Sequence, residues 1–182
     1  GTIAVADGAE LLLNATERVE IAAGAAWPSD GSYNTRTTMT VVGGSEVLVN
    51  GTLRGGNVKV VGSSVRVGVN GVVTATGCGT TSSDRVMTDF IYGGSHAGVG
   101  AYKVVPHGSA KKPVTWGGSA WSVAGGGAIH IVAAGNVTVD GTVESNGVRG
   151  TGAYQGGSAG GSVWIEAGDA LVGGGKIQGT VL

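Results

Sequence analysis

A unit of strand, turn, strand, turn and short strand recurs along the chain and limits the folds open to it. Two candidate units lie near the start, one from Ile3 to Leu13 and one from Val19 to Gly24. The alternation turns every second side chain to one face of its strand, so a single unit leaves an apolar face uncovered. Stacked units cover that face for one another. Four segments share the alternation and a turn glycine at a similar offset: residues 39–53, 58–73, 129–143 and, more loosely, 163–177.

The spacing of the turns favours a right-handed parallel β-helix, a solenoid of about six coils. Gly51 and Gly71 mark equivalent turns about 20 residues apart, which suits one turn of a wide coil. Three of the turns, Asn50-Gly51, Asn70-Gly71 and Asp140-Gly141, also suit two-residue type I′ hairpins. An antiparallel β-sandwich or barrel is therefore the alternative all-β fold.

Composition indicates a folded chain without helices. Glycine supplies 38 of 182 residues, which disfavours helices, while three prolines are too few for collagen. The apolar fraction of 41% and the net charge of -1 exclude the usual composition of a disordered chain. This near-zero net charge gives no sign of the basic surface that nucleic-acid binding requires. The apolar runs are also too short for a membrane-inserted segment.

Two inserts rich in glycine and serine interrupt the repeat, at about residues 77–127 and 145–162. We interpret residues 1–182 as a single β-solenoid domain that carries both inserts. The chain does not begin with Met and ends in a strand-like segment, so we expect a fragment of a larger protein. The inserts flank the same repeat, and their Gly-Gly-Ser steps allow backbones to approach closely. We therefore expect them to pack on the solenoid or on each other.

The glycine-rich part of the chain resembles a known class of repeats. It is similar to the right-handed parallel β-helix repeats of large secreted or cell-surface, adhesin-like proteins, over about residues 91–179. The resemblance implies an extracellular structural or adhesive role and supplies no catalytic residues. It is carried by the series Gly93-Gly94-Ser95-His96, Pro106-His107-Gly108-Ser109, Gly117-Gly118-Ser119, Gly125-Gly126-Gly127-Ala128-Ile129, Val139-Asp140-Gly141-Thr142-Val143-Glu144-Ser145-Asn146-Gly147 and Gly156-Gly157-Ser158-Ala159-Gly160-Gly161-Ser162-Val163-Trp164-Ile165.

Catalytic and metal-binding patterns are weak in this sequence. Pectate-lyase-like enzymes share the β-helix architecture, so a polysaccharide lyase or hydrolase, or a glycan-binding module, is the alternative function. The acidic residues are dispersed, and the densest set is Asp84 and Asp89 with Arg85 between them. We therefore predict no catalytic residue. His96, His107 and Cys78 lack zinc-site spacing, and no calcium or phosphate motif occurs, so we predict no metal and no cofactor.

Aromatic residues concentrate in the inserts. Exposed Trp and Tyr side chains stack on sugar rings or anchor protein partners, but they also form small cores beneath loops. His130 and Trp164 each alternate with aliphatic residues, so both are predicted on the outer face of their strands. The candidate residues for contact with a ligand or partner are Tyr92, His96, Tyr102, Trp116, Trp121 and Tyr154.

The sequence therefore predicts a non-enzymatic extracellular module with a structural or adhesive role in a cell-surface protein or filament. Sequons at Asn14, Asn50 and Asn136 favour a secreted glycoprotein with N-glycans on surface turns. Expected partners are further copies of the chain, stacked end to end or laterally, or other surface proteins, with glycans as a further option. A bacterial autotransporter-type passenger is a third interpretation, and the single cysteine is compatible with it.

Overall fold

The computed structural model describes residues 9–27, 37–79, 93–97, 106–120, 123–151 and 156–180. These residues form strands and irregular segments, and they include no helix, hence none that is long and apolar enough to cross a membrane. In chain order the strands are β1 (Glu10–Ala15), β2 (Arg18–Ile21), β3 (Ala26–Trp27), β4 (Thr38–Val49), β5 (Thr52–Arg54), β6 (Asn57–Val67), β7 (Val72–Thr74), β8 (Ala128–Ala133), β9 (Val137–Val139), β10 (Thr142–Glu144), β11 (Ser162–Ala167), β12 (Leu171–Val172) and β13 (Lys176–Gln178).

The strands pair in two sheets, and every pair of these strands is parallel. The first sheet has the order β1-β4-β6-β8-β11, with β2 beside β4, and β9 beside β6 and β12. The second sheet has the order β3-β5-β7-β10-β13. A solenoid-like, all-β architecture is therefore confirmed. The antiparallel sandwich or barrel is wrong for these strands, because hairpins make chain-adjacent strands antiparallel neighbours.

The strands stack as five levels, where a level is the set of consecutive strands that occupies one position in both sheets. Two candidate units were predicted near the start; Ile3 lies outside the described residues, and the described parts of both units share one level. β1 pairs with the first half of β4 and β2 with its second half, so Leu11 and Val19 belong to one level. The described residues thus contain five levels, and the number of coils in the whole chain stays a prediction. In chain order the levels are β1–β3, β4–β5, β6–β7, β8–β10 and β11–β13.

Apolar side chains form continuous columns between the two sheets. In the first sheet Val41 pairs with Val60, and Val60 pairs with Ile131, so equivalent positions of successive levels lie one above another. All three side chains are fully buried. Branched aliphatic residues favour strands and fill such columns well, which explains the abundance of valine. The same stacking joins Met39, Val58 and Ile129; Val47, Val65 and Val137; Val49, Val67 and Val139; and Leu53, Val73 and Val143.

The repeated turn glycines are required by close approach rather than by a left-handed backbone. A Cβ on Gly71 would overlap the carbonyl oxygen of Val49, and one on Gly141 would overlap that of Gly71. The positive φ values that a type I′ turn needs do not occur at these positions; among the described glycines they occur at Gly24, Gly77, Gly108 and Gly173. The turns stack because a backbone N–H of each level donates a hydrogen bond to a carbonyl oxygen of the previous level. The donors and acceptors are Thr52 N to Ala25 O, Val72 N to Gly51 O and Thr142 N to Gly71 O.

Candidate binding groove

Glycine-rich segments of the two inserts pack directly on each other. Gly117 N donates to Gly126 O over 2.7 Å, and Gly126 N donates to Ala159 O over 3.0 Å. Ala159 N in turn donates to Gly118 O over 2.9 Å. A Cβ on any of these three glycines would overlap the backbone of a neighbouring segment. The segments therefore form a closely packed layer, in agreement with the expectation that the inserts contact each other.

Trp116 attaches this layer to the first sheet. Its indole Nε1 donates to Asn57 Oδ1 over 2.7 Å, and Asn57 is the first residue of β6. The side chain is half-buried. Buried indole groups need a partner for their N–H, and here the partner is the sheet itself. The polar atom of this candidate contact residue thus holds the insert in place.

Two histidines lie together in the same insert. The ring centroids of His96 and His107 are 5.4 Å apart, with the planes tilted by 58°. His96 Nε2 lies 2.9 Å from Thr115 Oγ1, and His107 Nε2 donates to the Trp116 carbonyl over 2.8 Å. Both rings therefore support the segment around Thr115 and Trp116.

A groove of about 710 Å³ separates this insert from the last level. His96, Ser109 and Ala110 lie on its insert side. Val163 of β11 and Ile177 of β13 lie on the opposite side. At its base, Ser162 Oγ donates to the Thr115 carbonyl over 2.7 Å, which ties the insert to β11. The groove is a concave surface that is open to a ligand or another chain.

Burial lowers the pKa of His96, and the nearby His107 lowers it further; hydrogen bonds to backbone atoms of Gly160 and Thr115 act in the opposite direction. A folded-state pKa below the ordinary value of 6.5 means that the unfolded chain binds protons more readily. We expect the contribution of His96 to stability to be present above pH 6.5 and to be lost as pH falls below that value. The measurement is urea unfolding at neutral and mildly acidic pH for the natural chain and His96→Gln. The natural chain should lose more stability on acidification, whereas equal losses would contradict the prediction.

Cys78 lies in the core rather than at a reactive surface. Its exposure is 1%, and its Sγ lies 3.4 Å from the Thr76 carbonyl. Burial raises the pKa of the thiol, and the nearby Arg54 offsets this only in part.

Because the thiolate is the reactive form, we expect native Cys78 to react with a thiol reagent at least ~10-fold more slowly than the unfolded chain. Val69→Cys in a Cys78→Ser background supplies the exposed control, since Val69 is 77% exposed. Equal rates for Cys78 and this control would show that the site is open.

The remaining candidate residues have different positions. Asn14 and Asn136 are exposed, whereas Asn50 is half-buried and its Nδ2 donates to Glu20 Oε1 over 3.4 Å. Asn14 lies within β1, so its expected place in a surface turn is wrong. Modification of the three sequons stays a prediction. Tyr92, Tyr102, Trp121, Tyr154, Asp84 and Asp89 lie outside the described residues.

The structure also contains two polar arrangements that the sequence analysis missed. Glu144 is half-buried and accepts hydrogen bonds from Thr74, Asn146 and Gln178. On the outer face of the first sheet, His130 and Trp164 stack at 4.4 Å between ring centroids. His130 Nε2 lies 2.6 Å from Glu166 Oε1. The aligned third and fourth repeats already placed His130 and Trp164 at equivalent positions, so this stacking could have been predicted.

The described residues contain no group of three or more His, Cys, Asp or Glu side chains arranged to hold a metal ion. Comparisons with protein-family models, with curated proteins and with solved structures found no match to this chain. The resemblance to adhesin-like glycine-rich repeats therefore stays a prediction.

Proposed function

We propose that this chain is a non-enzymatic structural module of an extracellular, cell-surface protein or filament. In this proposal the whole chain is one domain, a right-handed parallel β-helix with two lateral inserts. The observation that carries it is the continuous stack of apolar columns through all five described levels. A stack of this kind extends in one direction by adding further levels, as expected of a spacer or filament segment.

The use of polar groups supports a structural role. The indole N–H of Trp116 binds Asn57, and Ser162 binds the Thr115 carbonyl. The ring nitrogens of His96 and His107 contact the same segment. These groups hold the inserts against the sheets, whereas a catalytic site needs polar groups directed at a reacting substrate.

Immunogold labelling with an antibody against the purified chain tests the proposal. In electron micrographs of the source cells we expect label along the cell surface or on extracellular filaments. Pre-immune serum provides the control. Label confined to the cell interior would contradict the proposal.

The groove favours a second candidate function, a glycan-binding module, with a polysaccharide lyase or hydrolase as its catalytic form. Its volume of about 710 Å³ is within the usual range for ligand sites. Ala110 is exposed and lines the groove, so Ala110→Trp should fill it without disturbing the sheets. Glycan-array binding that disappears in this variant, and persists in Val69→Trp, would favour the second function. The proposed structural role predicts no specific glycan signal for the natural chain or for either variant.

A further inference from the structure

Two histidine rings lie close together where the first insert meets β11. The ring centroids of His96 and His107 are 5.4 Å apart. The Nε2 of His96 also lies 3.5 Å from the Oγ of Ser162, the first residue of β11. We call the described parts of the insert that carry the two rings, residues 93–97 and 106–116, the latch. The histidine pair therefore lies at the joint between the latch and the first sheet.

The described neighbours of His96 offer no carboxylate to balance a positive charge. Two segments pack on this ring, residues 107–116 and residues 157–162, and neither contains an acidic residue. The Oε1 of Glu166, the one acid of β11, lies 2.6 Å from the Nε2 of His130. A proton on His96 therefore adds to a surplus of positive charge. The basic side chains on these segments, and on β13 across the groove, are His107, Lys111, Lys112 and Lys176, and the three lysines are exposed.

The closed position of His96 disfavours its charged form. Burial lowers the pKa of the ring and the charge of His107 lowers it further, whereas hydrogen bonds to the backbone of Gly160 and Thr115 act in the opposite direction. A ring that moves out into water returns to the ordinary pKa of 6.5. The open form therefore binds a proton more readily than the closed form, and opening becomes more favourable as pH falls below 6.5.

Backbone strain next to His96 favours movement at the same point. Among the described residues other than glycine, Ala97 alone has a positive φ, at 30°. Residues with a side chain rarely adopt this conformation and keep it only where surrounding contacts enforce it. The contact here is a hydrogen bond of 2.7 Å from Ala97 N to His107 O, which joins the two parts of the latch. Separation of the two histidine segments would therefore also relax the backbone.

We propose that the pair of His96 and His107 makes the latch acid-sensitive, so that protonation in mild acid releases residues 93–97 and 106–116 from β11 while the five levels stay folded. The levels are held by aliphatic columns, whose contacts do not change with pH. Because the latch forms one side of the groove, the shape of the groove would depend on pH. This inference goes beyond the proposed structural function and does not depend on where the protein is located.

Hydrogen exchange, measured for single amides by NMR at about pH 7.5 and about pH 5.5, tests the proposal. The latch amides are Gly94, which donates to Gly157 O, and Ala97, which donates to His107 O; Val65 reports on the stack. Protection factors remove the intrinsic effect of pH on exchange. One proton taken up on opening raises the opening constant by at most roughly tenfold over this interval. We expect the protection of Gly94 and Ala97 to fall about three- to tenfold in acid, and that of Val65 to change less than about twofold.

Matched variants assign the effect to the histidines. His96→Gln combined with His107→Gln keeps hydrogen-bonding side chains that cannot become charged. The ratio of protection between the two pH values should then be close to one, even if the substitutions loosen the latch at neutral pH. Lys111→Gln combined with Lys112→Gln removes two exposed charges from the same insert and should leave the acid effect of the natural chain unchanged.

Three results would overturn the proposal. Protection of Gly94 and Ala97 that stays constant in the natural chain would show that acid does not open the latch. An equal loss at Val65 would show that acid unfolds the stack as a whole. A loss that persists in the double histidine variant would assign the pH effect to other groups. His107→Gln alone, which removes only the neighbouring charge, should show a smaller acid effect than the natural chain, and an equal effect would likewise contradict the role of the pair.

Discussion

Gly161→Ala is expected to destabilise the chain by about 3 kcal/mol, the upper end of the usual cost of overpacking. A Cβ at this position would overlap the carbonyl oxygen of Gly127 and approach the Ser145 hydroxyl. Gly161 N also donates to Ser145 O over 2.7 Å, so the segment cannot move away without breaking that bond. The measurement is the free energy of unfolding from urea titration followed by circular dichroism.

Gly174→Ala is the matched control for this prediction. No atom lies within 4 Å of a Cβ built there, and its φ is outside the left-handed region. The substitution should leave stability unchanged or raise it by up to about 1 kcal/mol, because alanine lowers the entropy of the unfolded chain. Equal effects of the two substitutions would mean that the glycine-rich layer is not closely packed.

Ile131→Ala is expected to destabilise the chain by about 2–5 kcal/mol, the usual range for a buried Ile-to-Ala cavity. Ile131 is fully buried, and its neighbours in the column are Val60 and Ile165 of the adjacent levels. A cavity in the fourth level therefore removes contacts with the levels on both sides. Urea unfolding again provides the measurement.

Ile177→Ala makes the same chemical change at the last level, where the side chain is 44% exposed. In dilute solution we expect a loss of no more than about 1 kcal/mol, since much less apolar surface leaves contact. If this variant lost as much stability as Ile131→Ala, the columns would not be most tightly packed in the middle of the stack.

The sequence predicted the strands well because alternation reports which side chains face inward. Valines of the first and second repeats, such as Val47 and Val65, lie in the core as that pattern requires. The number of levels was harder to predict. Leu11 and Val19 each begin an apolar stretch, but whether two stretches share one level depends on pairing with β4. Such pairing is a tertiary property that no local pattern contains.

The role of the turn glycines was likewise only partly predictable from the sequence. The turn glycines were recognised by their offset, yet the reason for glycine at Gly71 is the carbonyl of Val49 in the level before it. The groove was beyond prediction, because it forms between His96 in one insert and Ile177 in the last level. Residues so distant in sequence meet only when the repeats stack and the inserts pack on each other.

The parallel register of the levels is the property on which the structural function depends, and methyl NOE spectroscopy measures it directly. In a chain with labelled Val and Ile methyl groups, we expect strong cross-peaks between Val58 and Ile129 and between Val60 and Ile131, since these pairs face each other across neighbouring strands. Cross-peaks between Val58 and Ile131, and between Val60 and Ile129, should be weak. The reverse pattern would show antiparallel pairing and would contradict the stacked-level architecture.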